Sequence, residues 1–528
     1  MEDKFFAVLL DTVSIQRYVF STNNLKENIG ASYIVEDIYD SHLKKVNKEM
    51  FPELTEEYYE AWETEPDRIR IKENGVPFEI GYIGGGNALL LFKEKDRAQE
   101  FIKKWTLRLL IHAPGIIPAC AFGEIDLNNF SSSLKILFKT LAKNKASFVP
   151  QTIIRRHGIT AECPRTGLSR EVWCRNLPDE EQDYISSVSN AKIEAAEKAK
   201  RKIIEILKEL NLDKKYTFTD ELDKLGQSKG EDSHIAIVHI DGNDMGQRVK
   251  EQKDLVTLRK FSCSVRRATL DSFKGILKEL DKYIDYIEEA KKYQEQKKEL
   301  KLVYDGGKTI LPIRPIIIGG DDITFVSEGR LGIWLAKVFL EEFERQKVSD
   351  GKPLTACAGI AITKTKYPFY RGYELSENLC KSAKRKRKEQ RDNGSWLDFH
   401  LAYGGFSGSL DDIRESHYKA PNVKSLVLRP YKIQDFYELL SAVSEFKKKD
   451  NGKTKFPRSK LMELRQVLYM DKDAQELFIE ELSARQLKLP KYKDFDGSEI
   501  VKGNQTPYFD MIELIELYPE SALNGGSR

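Results

Sequence analysis

Long apolar runs are missing from this sequence. Nothing in it approaches the ~20 residues that cross a bilayer, so a membrane-spanning role is not expected. Met1-Glu-Asp-Lys4 leads straight into a strand-like segment with no basic, apolar leader before it, so the expected location is the cytoplasm. Cysteine is sparse: six in 528 residues do not make a disulfide framework. Charge of one sign is lacking too, since 86 Lys and Arg face 83 Asp and Glu for a net charge of +3. Bulk charge therefore announces no nucleic-acid partner, and any such contact needs a local patch. What remains is a globular composition, 40% hydrophobic and 32% charged, in a chain too long for one ordinary core.

Two segments stand out. Ile235-Ala-Ile-Val-His-Ile-Asp-Gly-Asn-Asp-Met-Gly246 and Arg314-Pro-Ile-Ile-Ile-Gly-Gly-Asp-Asp-Ile-Thr-Phe-Val326 are strand-like apolar runs that end on glycine and aspartate. In the second, Gly319-Gly320 predicts a tight turn with Asp321 and Asp322 at its tip and a return strand to Val326. If the strand ending at Asp241 lies beside this hairpin, three carboxylates converge at one end of a sheet. Such a cluster needs cations, and hard oxygen ligands suit magnesium or manganese. Metals held by Asp241, Asp321 and Asp322 would activate a hydroxyl and neutralise a triphosphate, as in a palm-type nucleotidyltransferase. Glycine turns followed by acids are also common in loops without chemistry. Pairing with a second acid-tipped strand is what separates the two readings.

The periodicity predicts an α+β protein with two ferredoxin-like palms of order β-α-β-β-α-β. Residues 1–147 form the first, with strands at Phe5–Leu10, Phe78–Ile83, Ala88–Phe92 and Ile116–Phe122. Its hairpin turn is Gly84-Gly85-Gly86-Asn87. Residues 231–408 repeat the order, with helices expected at Leu258–Leu280 and beyond, Leu331–Gln346 and Tyr373–Lys388, and a strand at Leu354–Ile362. The glycine-rich turns fall at matching places, so the chain reads as an internal duplication whose first copy has lost the hairpin acids but keeps Asp11. Between them, residues 148–230 form a linker domain with an amphipathic helix at Ile193–Leu210, expected as a solvated face or short arm. Cys163, Cys174 and His157 offer three soft ligands, one short of a structural zinc site; two buried thiols are the plainer reading. Residues 409–528 are expected to be helical, with Lys455-Phe-Pro-Arg-Ser-Lys460 as a basic helix start and a flexible tail at Leu523–Arg528.

Taken together these residues resemble the large palm-domain subunit of type III CRISPR effector complexes and its stand-alone relatives. The resemblance rests on Asp241-Gly242 with Met245-Gly246, Gly319 to Asp322, and Ala383-Lys384 in the second palm. In the first it rests on Asp11-Thr-Val-Ser-Ile-Gln-Arg-Tyr-Val-Phe20 and Leu25-Lys-Glu-Asn-Ile-Gly-Ala-Ser32. It implies synthesis of cyclic oligoadenylates from ATP in antiviral defence. It also implies crRNA, target RNA and neighbouring effector subunits as partners. No His-Asp dipeptide occurs in the sequence, so the nuclease domain of many relatives, and DNase activity with it, is not expected. Asn243 stands where the family often has a second acid, with Asp244 next to it.

The resemblance further implies roles for single residues. The Gly242 backbone joins Asp241, Asp321 and Asp322 on the metals, and Lys384 neutralises triphosphate beside Gly319 and Gly320. A second ATP lies against the first palm near Gly84, Gly85, Gly86 and Ser14, and its 3′-hydroxyl attacks the α-phosphate of the first, releasing pyrophosphate. The related GGDEF guanylate cyclases read guanine eight positions past the opening aspartate. Val249 holds that position here, which favours adenine. Competing readings are a stand-alone cyclic (di)nucleotide synthase, a template-dependent polymerase and a non-catalytic scaffold. The polymerase lacks obvious thumb and finger blocks. The intact Asp321-Asp322 pair opposes the scaffold.

Overall fold

The unbroken apolar run Phe5–Leu10 makes a strand, β1 (Lys4–Thr12), at the centre of a four-stranded sheet in a computed structural model of the chain. The structure describes residues 4–147, 160–225, 233–292, 300–402, 408–420, 423–450, 453–454 and 456–524. His157, Gly404 to Ser407, Lys455 and the last four residues lie outside them.

After β1 come α1 (Ile15–Val19), α2 (Leu25–Asp37), α3 (Ser41–Met50), α4 (Glu56–Thr64), β2 (Phe78–Gly84), β3 (Asn87–Phe92), α5 (Lys95–His112), β4 (Pro118–Asp126) and α6 (Phe130–Ser147). The sheet order β2-β3-β1-β4 with antiparallel neighbours is that of a ferredoxin-like palm. The connecting region carries β5 (Val172–Trp173), β6 (Tyr184–Ile185), α7 (Ser187–Glu209) and β7 (Tyr216–Thr217). The helix expected from Ile193 begins at Ser187, and its early turns pack on the first palm while much of residues 197–210 keeps the expected solvated face. Lys192 is fully buried, with Nζ donating to Tyr18 O at 2.6 Å and Ser21 Oγ at 2.8 Å, and Val188 and Ala195 join the first palm's core.

The repeat then starts again with β8 (His234–Gly242), α8 (Met245–Lys250) and α9 (Leu255–Lys292), followed by the short β9 (Tyr304–Asp305) and β10 (Lys308–Ile310). Next come β11 (Ile313–Gly319), β12 (Asp322–Glu328), α10 (Gly332–Arg345), β13 (Ala356–Lys364), α11 (Phe369–Glu389) and β14 (Trp396–Leu401). The order β11-β12-β8-β13 repeats that of the first palm, and β14 and β15 (Tyr431–Lys432) extend it. β14 had no counterpart in the sequence reading.

Side chains that alternate along β8 serve two different cores. Ala236, Val238 and Ile240 enter one that runs on through α9, α10 and the carboxy-terminal helices to Tyr518. Ile235 and Ile237 enter the other, which is built mainly by the first palm. This is period two with both faces covered, so β8 reads as an unbroken apolar run. The carboxy-terminal part holds α12 (Leu410–His417), α13 (Ile433–Lys447), β16 (Lys449–Asp450), β17 (Lys453–Thr454), α14 (Arg458–Val467), α15 (Lys472–Ala484), α16 (Tyr508–Leu517) and α17 (Glu520–Asn524), mainly helical as expected.

Several side chains of α9 reach across to the first palm, among them Ser262 to the Ile83 carbonyl, Lys260 to Asp67 and Arg266 to Glu63; the most deeply buried is Arg259. Arg259, fully buried, donates to Gly81 O (2.8 Å), Arg68 O (2.9 Å), Ile80 O (2.7 Å) and Glu79 Oε1 (2.8 Å). Among the described residues, no helix is long and apolar enough to cross a membrane.

Candidate active site

The register of β8 and β12 sets Asp241 directly opposite Asp322. Gly319 pairs with Asp322, so the turn is the two residues Gly320 and Asp321; Gly319 ends β11 and Asp322 opens β12. This shifts by one residue the turn expected from sequence. Gly320 has φ of +57° while Asp321 keeps a negative φ, so an acid fits the second turn position. In the first palm Gly85 and Gly86 both have positive φ (+58° and +78°), and a Cβ on Gly86, the counterpart of Asp321, would also lie 2.4 Å from Ile15 Cδ1, so a side chain is disfavoured at that one position. The two turns touch. A Cβ on Gly320 would lie 3.3 Å from Gly85 Cα. The Gly320 carbonyl accepts from Thr269 Oγ1 of α9 at 2.6 Å, and a Cβ on Gly84 would meet Ser262 Oγ at 2.8 Å.

Asp321 folds back over the end of β8. Its backbone oxygen accepts the Gly242 N–H at 3.1 Å, and its side chain lies 2.8 Å from where a Gly242 Cβ would be. Partial burial, then the neighbouring Asp241 and Asp322, push the Asp321 carboxyl up to about 7. Burial followed by Asp241 raises Asp322 well above the usual carboxylate range. Asp321 and Asp322 are therefore two acids that resist ionising together beside Asp241.

α11 supplies the counter-charge. It lies flat on β13 because Gly359 has no side chain; a Cβ there would sit 1.9 Å from Ser376 O. Lys384 Nζ is 2.6 Å from Asp241 Oδ2 and donates to the Gly242 carbonyl at 3.1 Å. Burial pulls the Lys384 ammonium down, but Asp241 outweighs it and the net shift is upward. One turn on, Arg387 Nη2 is 2.5 Å from Asp244 Oδ2, and that bond holds the Asp244 carboxyl below its ordinary range. Asp244 is thus committed to Arg387 and does not replace the acid absent at position 243. Asn243 is buried, bonded to Thr355 and accepting from Cys357 Sγ. Under the cluster, His239 Nδ1 is 3.4 Å from Asp322 Oδ1 and 3.1 Å from Thr324 Oγ1, and burial pushes its imidazole down to about 4.

The first palm matches this site position by position. Asp11 faces Asn87 across the ladder as Asp241 faces Asp322. The Thr12 N–H bonds to Gly86 O at 3.0 Å as Gly242 bonds to Asp321 O. Ser14 and Asp244 share the left-handed conformation, φ +55° and +59°. Lys145 of α6 pairs with Asp11 as Lys384 pairs with Asp241. Ser14 is exposed beside this loop. Lys145 was overlooked in the sequence, although its place in the helix after the fourth strand repeats that of Lys384. His239 and Arg387 were overlooked too, hidden in an apolar run and in a basic run.

Val249 is partly buried and packs against both cores. Magnesium or manganese suits the donor chemistry: three carboxylates, the Gly242 carbonyl, and an Asp322 Oδ1 that is buried without a hydrogen bond. Among the described residues no three His, Cys, Asp or Glu side chains already converge on one point, so ion binding would have to draw the acids together. Cys163 and Cys174 are free thiols buried with Ile185 and Ile193; no further ligand joins them among the described residues, and the third candidate, His157, lies outside those residues.

Residues 234–393 match the family model described as Cas10/Cmr2, second palm domain. No curated protein matches the chain. Among solved structures, it is similar to the Csm1–Csm4 cassette in complex with cA4, at 13% identity and TM-score 0.55, covering 100% of this chain and 70% of that one. The cassette in complex with AMPPNP matches at 14% identity and TM-score 0.50, over 97% and 70%. Csm1 of T. onnurineus matches at 15% identity and TM-score 0.50, over 99% and 69%.

Proposed function

From a chain whose residues 234–393 form a Cas10/Cmr2-type second palm domain, we propose an ATP-using nucleotidyltransferase that makes cyclic oligoadenylates as the large palm subunit of a type III CRISPR effector. The observation that carries this reading is the direct pairing of Asp241 with Asp322, with Asp321 at a turn that touches the first palm's glycine turn. Two nucleotides held one per palm would meet across that contact.

Magnesium or manganese held by Asp241, Asp321, Asp322 and the Gly242 carbonyl would neutralise the triphosphate and activate the attacking 3′-hydroxyl. The chain's own groups do the rest. Lys384 places a cation beside the acids, where it would meet triphosphate charge, while Arg387 is held by Asp244. The αL residues Ser14 and Asp244 turn the backbone at the mouth of each palm. Gly84 to Gly86 leave the backbone of the facing hairpin open to the second nucleotide. Positioning and charge neutralisation then suffice, without a covalent intermediate. Adenine is supported by the cA4 and AMPPNP complexes of the similar structures, and the second subunit in those cassettes supports a Csm4-like partner.

The test is to incubate the purified chain with ATP and magnesium, alone and with its co-purifying partners and RNA, and to resolve products by mass spectrometry. Adenylate oligomers that vanish in the Asp321→Asn/Asp322→Asn chain are expected. Predominantly guanylate products from an equal ATP and GTP mixture would move the protein to another class of cyclase. No nucleotide product under any of these conditions would leave the scaffold reading.

A further inference from the structure

Phe20 ends the first palm's Asp11–Phe20 motif as the residue that caps α1. Its ring stacks on Tyr373 of α11, with centroids 3.7 Å apart and planes 23° apart. Phe369, one turn earlier on the same helix, stacks on Phe20 at 6.0 Å. Tyr373 in turn meets the His239 ring edge to face at 5.6 Å. His239 Nδ1 lies 3.4 Å from Asp322 Oδ1. Phe20, Phe369, Tyr373 and His239 are all buried, so this contact is dry.

Two features separate the stack from ordinary core filling. Asp322 Oδ1 is buried without a hydrogen bond, so the His239 ring is the polar surface against which that carboxylate rests. Tyr373 and Lys384 are eleven residues apart on α11, about three turns, and so share the face turned to the acids. Phe20 of the first palm is thus in direct ring contact with the helix that carries Lys384, and through Tyr373 with the ring beneath Asp322.

We infer that Phe20, Tyr373 and His239 form a positioning stack that makes the orientation of Asp322, and with it the divalent-cation affinity of the second palm, depend on the seating of the first palm. The inference rests on the metal-dependent reading above. None of the three touches the reacting atoms, and they act through Asp322. The rings are aromatic because a stack transmits a displacement that branched side chains would absorb by changing rotamer.

The experiment uses the full chain and Mn2+ binding followed by electron paramagnetic resonance without nucleotide, together with kcat and KM for ATP. Phe20→Leu lies in the other palm, yet it should weaken Mn2+ binding about tenfold, the scale of a lost support behind a ligand, and lower kcat while KM stays near wild type. Tyr373→Leu should do the same, and Tyr373→Phe, which keeps the ring, should restore both. If Phe20→Leu loses the fold by circular dichroism, His239→Gln, which keeps a polar side chain near Thr324, carries the same expectation. Unchanged Mn2+ affinity in Tyr373→Leu and His239→Gln would overturn the stack. The Asp321→Asn/Asp322→Asn chain separates this from the parent reading. Were that chain to bind Mn2+ as wild type does, the metal assignment itself would fall.

Discussion

Asp321 is the residue at which charge, turn geometry and chemistry meet. Its carboxyl is pushed up to about 7 by burial and then by Asp241 and Asp322, against an ordinary value near 3.8. A carboxyl raised in the folded state stabilises the fold below its unfolded value, and that stability is lost as pH rises through about 7. Metal-free protein should therefore be less stable at pH 8 than at pH 5.5. Asp321→Asn should recover on the order of 1–2 kcal/mol at pH 8 and little at low pH, allowing for solvent screening. Thermal unfolding in chelator at the two pH values checks this. Added magnesium should raise the midpoint of wild type and not of the variant. The two palms should also differ residue for residue. Asp241→Ala is expected to lower turnover by roughly 10^3-fold or more, and Asp11→Ala by less than about tenfold, because Gly86 and Asn87 stand where the second palm has acids. Equal losses in the two variants, measured by product mass, would make the first palm a metal site as well.

At the level of elements, α9 carries the junction. Arg259 leaves its own domain to serve three carbonyls and Glu79 of the first palm. Arg259→Met keeps the stem and removes the charge, leaving Glu79 buried with the Arg70 and Ile71 N–H groups. About 3 kcal/mol should be lost, read from denaturant unfolding, and the pairing of the turns with it. The elements also show what a sequence can tell. Strand β8 was legible because both its faces are apolar, and α9, α10, α11 and the carboxy-terminal helices because their apolar residues recur at helical spacing. Strand β14 was not. Trp396-Leu-Asp-Phe-His-Leu401 buries Asp398 and His400, and the partner of Asp398, Arg414, lies beyond the strand, 2.6 Å from Oδ1. The start of α7 was placed late for a similar reason: Lys192 gives no apolar signal, and its carbonyl and hydroxyl partners lie in the first palm. The acids Asp241, Asp321 and Asp322 were found because their chemistry is local. His239, Lys145 and the contact of Gly85 with Gly320 depend on tertiary neighbours that no local pattern encodes.

The molecule as a whole has two large cores where four domains were expected from sequence. The second palm and the carboxy-terminal helices share one continuous core, tied by Arg429, whose guanidinium is fully buried against Glu513 Oε2 at 2.7 Å and Asp510 Oδ1 at 3.5 Å. A chain ending at residue 408 would uncover the Leu397 and Phe399 side of β14. It should fail to give a cooperatively folded second palm, seen as loss of a sharp unfolding transition and fast hydrogen exchange in β13 and β14. A sharp transition in that shortened chain would show the helices to be an independent domain. The first palm's core, which takes Ile235, Ile237 and Val326 from the second, should persist only in part.

The touching glycine turns have a kinetic meaning. In a homodimer with this geometry, the composite site would exist only as long as two molecules stayed together, and output would fall with the square of concentration on dilution. Here a covalent link holds both halves at a fixed effective concentration. Specific activity of the isolated active species should thus be unchanged across about a hundredfold dilution, in contrast to a dimerising enzyme. A shared polypeptide also lifts the rule that both halves be identical. Symmetric subunits cannot surrender an acid from one site and keep it in the other, but this chain can hold Asp11 with Lys145 on one side and the full set with Lys384 on the other. On the proposed function it would thereby gain a fixed direction, one half presenting a nucleotide and the other acting on it.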